Sequence, residues 1–367
     1  TRGLVDIMNN SSTTAREPLR YGIFMPSVSN SPNMSHYKPD PDDWTFETNR
    51  KIALAAEAAG FDFLFPISRW RTIGGEIDFH GKSLETMTWA SALLASTSRI
   101  QIFSTVHVPV FNPVVAAKMG ATLDHISGGR WGINIVSGWN RAEFDMMGIE
   151  MLEHEDRYQR SEEFIEILKG LWTEPLGTFN FKSDYYTVRN GYAAPQPIAR
   201  PHPPIVNAGT SNDAREMVAR ACDWAFICPM SYDEAEELAR DFKERAASYG
   251  RKVRVVSMAQ PIWAPTATEA QAEYDRVIAE MDVEALRKWA AGVNMESDSF
   301  NQQTLETFCF GGGAMPLLGT AVEVADQIAE FHRRGVDGVL MSYMDFLKDT
   351  VRFGEDIVPL LKRMEVI

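Results

Sequence analysis

Paired cysteines, long apolar runs and clustered basic residues are all scarce in this chain. Its three cysteines, Cys222, Cys228 and Cys309, form neither a CxxC pair nor an even framework. They read as reduced, mostly buried thiols of a cytoplasmic protein. No apolar run reaches the ~18 to 20 residues that cross a bilayer, so no membrane partner is expected. The balance of 36 Lys and Arg against 50 Asp and Glu gives a net charge of −14. That disfavours nucleic acid and anionic lipid, which demand basic patches. The opening stretch, TRGLVDIMNNSSTTAREP, has no apolar segment of signal-peptide type. Residues 1–19 are read as a polar N-terminal arm.

Familiar catalytic signatures are missing too. The seven histidines (His36, His80, His107, His125, His154, His202 and His332) are scattered without HxH or HExxH, so no metal site is expected. There is no GxSxG elbow, no phosphate-binding P-loop and no pair of carboxylates at strand ends.

What the chain does have is alternation. Strand-like apolar runs fall at 21–28, 61–68, 100–108, 131–138, 203–209, 224–229, 253–263 and 335–343. Between most of them lie patterns such as FETNRKIALAAEAAG and AVEVADQIAEFHRRG, whose apolar residues recur at the helical period of three and four. Continuous apolar strands joined by helices imply a parallel sheet buried on both faces. Eight such units predict an α/β chain of the (β/α)8 TIM-barrel class spanning residues 20–367. A doubly wound open sheet is the alternative, but its glycine-rich first turn is absent. Two insertions are expected: 175–202, a small β excursion with an NG turn, and 283–318, a possible lid position over the barrel mouth. The glycines of GGGAMP (311–316) follow no clear strand and read as a loop.

Barrel active sites lie at the C-terminal ends of the strands, which directs attention to the polar residues there. These are Ser68 and Arg69, Thr105 and His107, Asn134, Ser137, Trp139 and Glu143, then Asn207, Gly209 and Ser211, with Gln260, Ser342 and Tyr343 later. An amide or hydroxyl inside an apolar strand costs a few kcal/mol unless it is bonded. Thr105 and Asn134 therefore bond to neighbouring strands or face a polar ligand. GTSNDA (209–214) opens a helix directly after a strand, which suits either an anion site or ordinary N-capping. Arg157 and Tyr158 open another long helix. With no metal, elbow or carboxylate pair, and with an aromatic-rich mouth, the reactivity points to a borrowed aromatic cofactor.

The segments ATLDHISGGRWGINIVSGWNRAEFDMMGI, RYQRSEEFIEILKGLW, PPIVNAGTSNDAR and GVDGVLMSYMDFLKDTVRFGEDIVPLL resemble the bacterial-luciferase-like flavin monooxygenases. The likeness is strongest to the branch of pyrimidine oxygenase, dimethyl sulfone monooxygenase and alkanesulfonate monooxygenase, and runs from about residue 20 to the C-terminus. It implies a barrel that binds reduced FMN supplied by a separate NAD(P)H-dependent flavin reductase, and uses O2 as co-substrate. The family's flavin contacts fall on Ser68, Arg69, Asn134, Glu143, Arg157, Tyr158 and Ser211. The turn Ser137-Gly138-Trp139 then lies beside the flavin, and Thr105 with Asn134 matches the family's oxygen pocket. The implied reaction cleaves a C–N or C–S bond of a small substrate through a flavin peroxide, with His107 as candidate proton donor. Relatives imply a homodimer or homotetramer. Two other readings remain: a coenzyme F420-dependent hydride-transfer enzyme of the same superfamily, and a non-catalytic flavin-binding barrel.

Overall fold

The computed structural model describes residues 16–293 and 302–367. In chain order the elements are β1 (Arg20–Phe24), α1 (Phe46–Ala58), β2 (Phe63–Phe65), α2 (Thr86–Ser96), β3 (Gln101–His107), α3 (Pro113–Ser127), β4 (Trp131–Val136), α4 (Arg141–Met147) and α5 (His154–Thr173). Next come β5 (Phe179–Lys182), β6 (Thr187–Gly191), β7 (Ile205–Asn207), α6 (Asn212–Ala221), β8 (Trp224–Ile227), α7 (Tyr232–Ser248) and β9 (Arg254–Trp263). The chain ends with α8 (Ala267–Ala279), α9 (Val283–Gly292), α10 (Gln302–Cys309), β10 (Met315–Gly319), α11 (Ala321–Arg333), β11 (Gly338–Met341), α12 (Phe346–Asp356) and α13 (Val358–Arg363).

Strands β1, β2, β3, β4, β7, β8, β9 and β11 pair in parallel, and the β8–β9 and β9–β11 pairings close the ring. This is the eight-stranded parallel barrel with outer helices that the alternation predicted. Each expected strand is present, and all but β9, which runs to Trp263 as expected, are shorter at the C-terminal end. Met25 has φ 60° before Pro26, and Pro66 follows β2 directly. Neither proline can donate to a ladder, so the backbone leaves the sheet there and begins the mouth.

The barrel interior is filled largely by aromatic side chains. Phe65 stacks on Phe103 at 4.6 Å, Phe24 meets Phe226 edge-on at 4.9 Å, and Phe63 meets Trp224 at 5.5 Å. Gly132 makes room for this layer: a Cβ there would stand 2.3 Å from the Phe103 ring. Such close-packed rings give the mouth a rigid floor.

Four expectations change. The 175–202 excursion is an antiparallel β5–β6 pair, but its turn is not Asn190-Gly191. The chain reverses at Ser183–Tyr186, where Ser183 Oγ accepts from the Tyr185 and Tyr186 amides. The side-chain oxygen does the work expected of the NG backbone. The glycine cluster leads into a strand, β10, which lies parallel to β9 along the edge that β8 vacates beyond Ser257. Its MPLLG sequence is too short to carry a periodic signal. Helices α4, α8, α12 and α13 were also unanticipated. In α8 only Ala270 and Val277 are buried, and a Thr266/Glu269 capping box closes its first turn. Residues 1–15 of the expected arm lie outside the described residues, and Leu19 is already buried, its N–H donating to Val366 O.

Candidate active site

A cavity of about 540 Å³ opens at the C-terminal mouth, on the side of β2 to β4, β7 and β8. Phe24 and Phe226 form part of its lining. Its walls bring together Ser68, Arg69, Thr105, His107, Asn134, Ser137, Trp139, Arg157, Tyr158, Gly209 and Ser211. Residues from the ends of four strands and the connections that follow them thus meet, although they span more than 140 positions of sequence.

On β3 and β4, Thr105 stands directly across from Asn134 in the parallel register. The Thr105 hydroxyl donates to Pro66 O at 2.9 Å, so it can only accept from Asn134 Nδ2, 3.3 Å away. That network sets the amide orientation and turns Asn134 Oδ1 away from Thr105, where it has no partner within the described residues. Thr105 is therefore satisfied internally, whereas Asn134 keeps an unpaired acceptor and a second N–H. An orphan of this kind inside an apolar barrel costs about 1–3 kcal/mol, and this one lies on the cavity wall.

Past β4 the chain turns through Ser137-Gly138-Trp139. Ser161 Oγ donates to Arg157 O, so the 2.7 Å contact between the hydroxyls takes its proton from Ser137. Gly138 has φ +88°, and a Cβ would collide with the Phe144 ring at 2.1 Å. Only glycine makes this turn. Trp139 then stacks with the Arg69 guanidinium, 5.0 Å from ring centroid to carbon.

Helix α5 delivers Arg157 and Tyr158 from its first turn. Arg157 donates to Gly138 O, and its Nε has no partner. Burial raises the Tyr158 phenol above its ordinary value despite a hydrogen bond to Ser211, so it remains a neutral donor. Ser211 accepts from Ala214 N at 3.3 Å as the N-cap of α6; the capping alternative for GTSNDA is thus realised. Gly209 is held close, since a Cβ would reach within 2.7 Å of Tyr158 Oη and 2.5 Å of Ala214 Cβ.

Glu143 does not line the cavity. It is 1% exposed and stands behind the wall, accepting from Trp70 N at 2.9 Å, with its other oxygen 3.8 Å from His107 Nε2. Trp70 Nε1 donates to His107 Nδ1 at 3.3 Å, which leaves the proton of a neutral ring on Nε2, facing Glu143. Burial, and secondarily Arg69, pushes His107 down to about 3. A ring held there is neutral at pH 7, which counts against His107 as the expected proton donor. Burial also lowers Arg69, with Glu143 working in the opposite sense.

Sequence reading missed Trp70 and His80. Arg69 Nε donates to His80 Nδ1 at 3.3 Å, an eleven-residue loop contact with no spacing signal. Trp70 was legible as the neighbour of Arg69, but its partners Glu143 and His107 lie 73 and 37 residues away.

The class these features define is a (β/α)8-barrel enzyme with an aromatic-floored, cation-bearing cavity at its mouth. The family model for luciferase-like monooxygenases matches residues 19–338, and the chain belongs to that family. It is 32% identical to the FMNH2-dependent dimethylsulfone monooxygenase of Pseudomonas putida over 95% of this chain and 97% of that one. It is 31% identical to the pyrimidine monooxygenase RutA of Acinetobacter baylyi, over 95% and 96%. The structure of riboflavin lyase RcaE, solved with modified FMN and riboflavin, superposes with a TM-score of 0.86 at 23% identity, covering 95% of this chain and 92% of that one. Among the described residues no helix is long and apolar enough to cross a membrane.

Proposed function

We propose that this chain is an FMN-dependent monooxygenase that oxidises a small organic substrate at the barrel mouth with C–N or C–S bond cleavage. The observation that carries the reading is the Thr105–Asn134 pair, which leaves Asn134 Oδ1 buried and unpartnered on the cavity wall. The residues present fit a flavin. An apolar floor, an orphaned amide oxygen, the free Arg157 Nε and the side-chain-free Gly209 are what a flat polar ring with an anionic tail requires.

Reduced FMN, delivered by a separate NAD(P)H-dependent reductase, supplies the two electrons that let one atom of O2 enter the substrate while the other leaves as water. The protein's part is to bind, orient and exclude. Arg157, Tyr158 and Ser211 would hold the phosphate, since each offers a side-chain donor and Tyr158 keeps its proton, while Gly209, whose N–H is given to Asn207 Oδ1, leaves room for it. Ser68, Arg69 and Trp139 line the same cavity and would cover the ring system and exclude water from it. Asn134 accepts through Oδ1 and donates its second N–H beside Thr105, stabilising charge that develops on oxygen. His107 acts through others: a neutral ring between Trp70 and Glu143, it positions the Arg69–Trp70 loop.

The test is anaerobic titration with FMNH2, then admission of 18O2 with dimethyl sulfone or uracil, read by mass spectrometry. Labelled product supports the reading. Absence of FMNH2 binding overturns it and favours a deazaflavin hydride-transfer enzyme, whereas binding without turnover of any substrate favours a flavin carrier.

A further inference from the structure

A second cavity, of about 530 Å³, lies on the far side of Trp139 from the first. The two share the Trp139 indole and Gly292, so a single side chain partitions them. A Cβ at Gly292 would stand 2.6 Å from the Trp139 ring, which shows how closely α9 closes on that partition.

The outer cavity is cationic, although the chain as a whole is acidic. Arg71, Arg141 and Lys288 line it, and among the described residues no carboxylate does. Lys288 is paired with Glu284 at 2.6 Å. Arg71 and Arg141 have no ion-pair or hydrogen-bond partner among the described residues. At two other cavities of this molecule of net charge −14, the lining arginines meet acids. At the groove beside Trp263, Arg352 pairs with Asp349 at 3.0 Å; at the barrel's lower end, Arg20 pairs with Asp62 and Arg254 with Glu17. Two unpaired guanidiniums in an otherwise acidic surface focus a local positive field. Planar donor forks of this kind match the oxygens of sulfonate and carboxylate heads. Arg69, stacked on Trp139, carries that field inward to the first cavity.

We propose that this outer cavity is an anion-binding vestibule and that the substrate is a small organic anion. Arg71 and Arg141 hold its charged head while its apolar end passes Trp139 toward the inner cavity. This rests on the flavin assignment of the inner cavity. It separates this chain from its two relatives named for dimethylsulfone and pyrimidines, which are neutral at pH 7.

The probes are linear alkanesulfonates of one to five carbons, each matched with the neutral methyl sulfone of the same chain length. Calorimetric titrations are run with and without bound FMN, at low and moderate salt. The expected result is tighter binding of the sulfonates, weakened by salt because Arg71 and Arg141 are both exposed, with R71Q/R141Q raising their dissociation constant ~10-fold. The sulfones and FMN itself respond less than twofold to those substitutions. Sulfonates that bind no better than sulfones, or that ignore R71Q/R141Q, overturn the vestibule. Because binding is also read without FMN, loss of FMN binding alone counts against the monooxygenase reading while sulfonate binding still supports the vestibule.

Discussion

The two ends of the barrel treat buried polar groups in opposite ways. At the N-terminal end, one device occurs three times. Asp62, Asp223 and Asp337 each stand just before a strand and accept the N–H of a neighbouring strand's residue: Tyr21 at 3.0 Å, Ile205 at 2.9 Å and Val255 at 2.8 Å. Each aspartate returns its own N–H to that residue's carbonyl at 2.8 Å. A cation then covers each carboxylate, Arg20, Arg251 and Lys243 in turn. At the mouth, by contrast, Asn134 Oδ1, Glu143 Oε2, Arg157 Nε, His80 Nε2 and both amide atoms of Gln260 are buried without partners. The three aspartates lock the ring at one end, where Asp124 Oδ1 is nevertheless orphaned; at the other, several buried polar atoms stand without partners.

The sharpest way to break this contrast is at the mouth. Asn134→Ala is expected to lower turnover ~10²–10³-fold, the range for losing one charge-stabilising donor, while the thermal midpoint hardly moves. Comparable loss of stability, measured by calorimetry, would mean that Asn134 belongs to the fold and not to a site. The lower end should respond the other way. Asp337→Ala removes the partner of Val255 N and Lys243 and is expected to cost about 2 kcal/mol in denaturant unfolding, with the FMN dissociation constant unchanged.

A smaller effect belongs to Gly209. Gly209→Ala places a methyl against Tyr158 Oη and is expected to weaken FMN binding ~10-fold, or about 1.4 kcal/mol, as read by equilibrium titration. The subtlest effect appears in acid. His107 is held at about 3 when folded, against ~6.5 in the unfolded chain. Its contribution to stability is therefore present above pH ~6.5 and lost as the pH falls from there toward 3. His107→Gln should flatten the decline in unfolding midpoint between pH 7 and 5. The slope is reduced and not abolished, because burial also lowers His80. An unchanged slope would show that His107 carries no such linkage.

Much of this was legible in the residues. Alternating apolar runs and helical periods suffice for an eight-unit barrel, because a strand covered on both faces and a helix covered on one have different apolar periods. The strand-end positions of Thr105, His107, Asn134, Gly209 and Ser211 followed from where a parallel barrel opens. The β10 strand escaped because MPLLG has no alternation and acquires its partner only where β9 outlasts β8. The paired aspartates escaped too, although FDF, CDW and VDG each carry one. A carboxylate before a strand gives no sign of whose N–H it will accept.

The sequence by itself determined the class of architecture, the side of the barrel on which chemistry occurs and the types of group available there. Those properties depend on residue type and period, which are local. Only the tertiary structure decided which groups remain unpaired: that Glu143 stands behind the wall, that Thr105 is satisfied while Asn134 is not, and that His107 is a neutral ring between Trp70 and Glu143. Pairing and desolvation are set by neighbours tens of residues away, and the chain must close before either acquires a value.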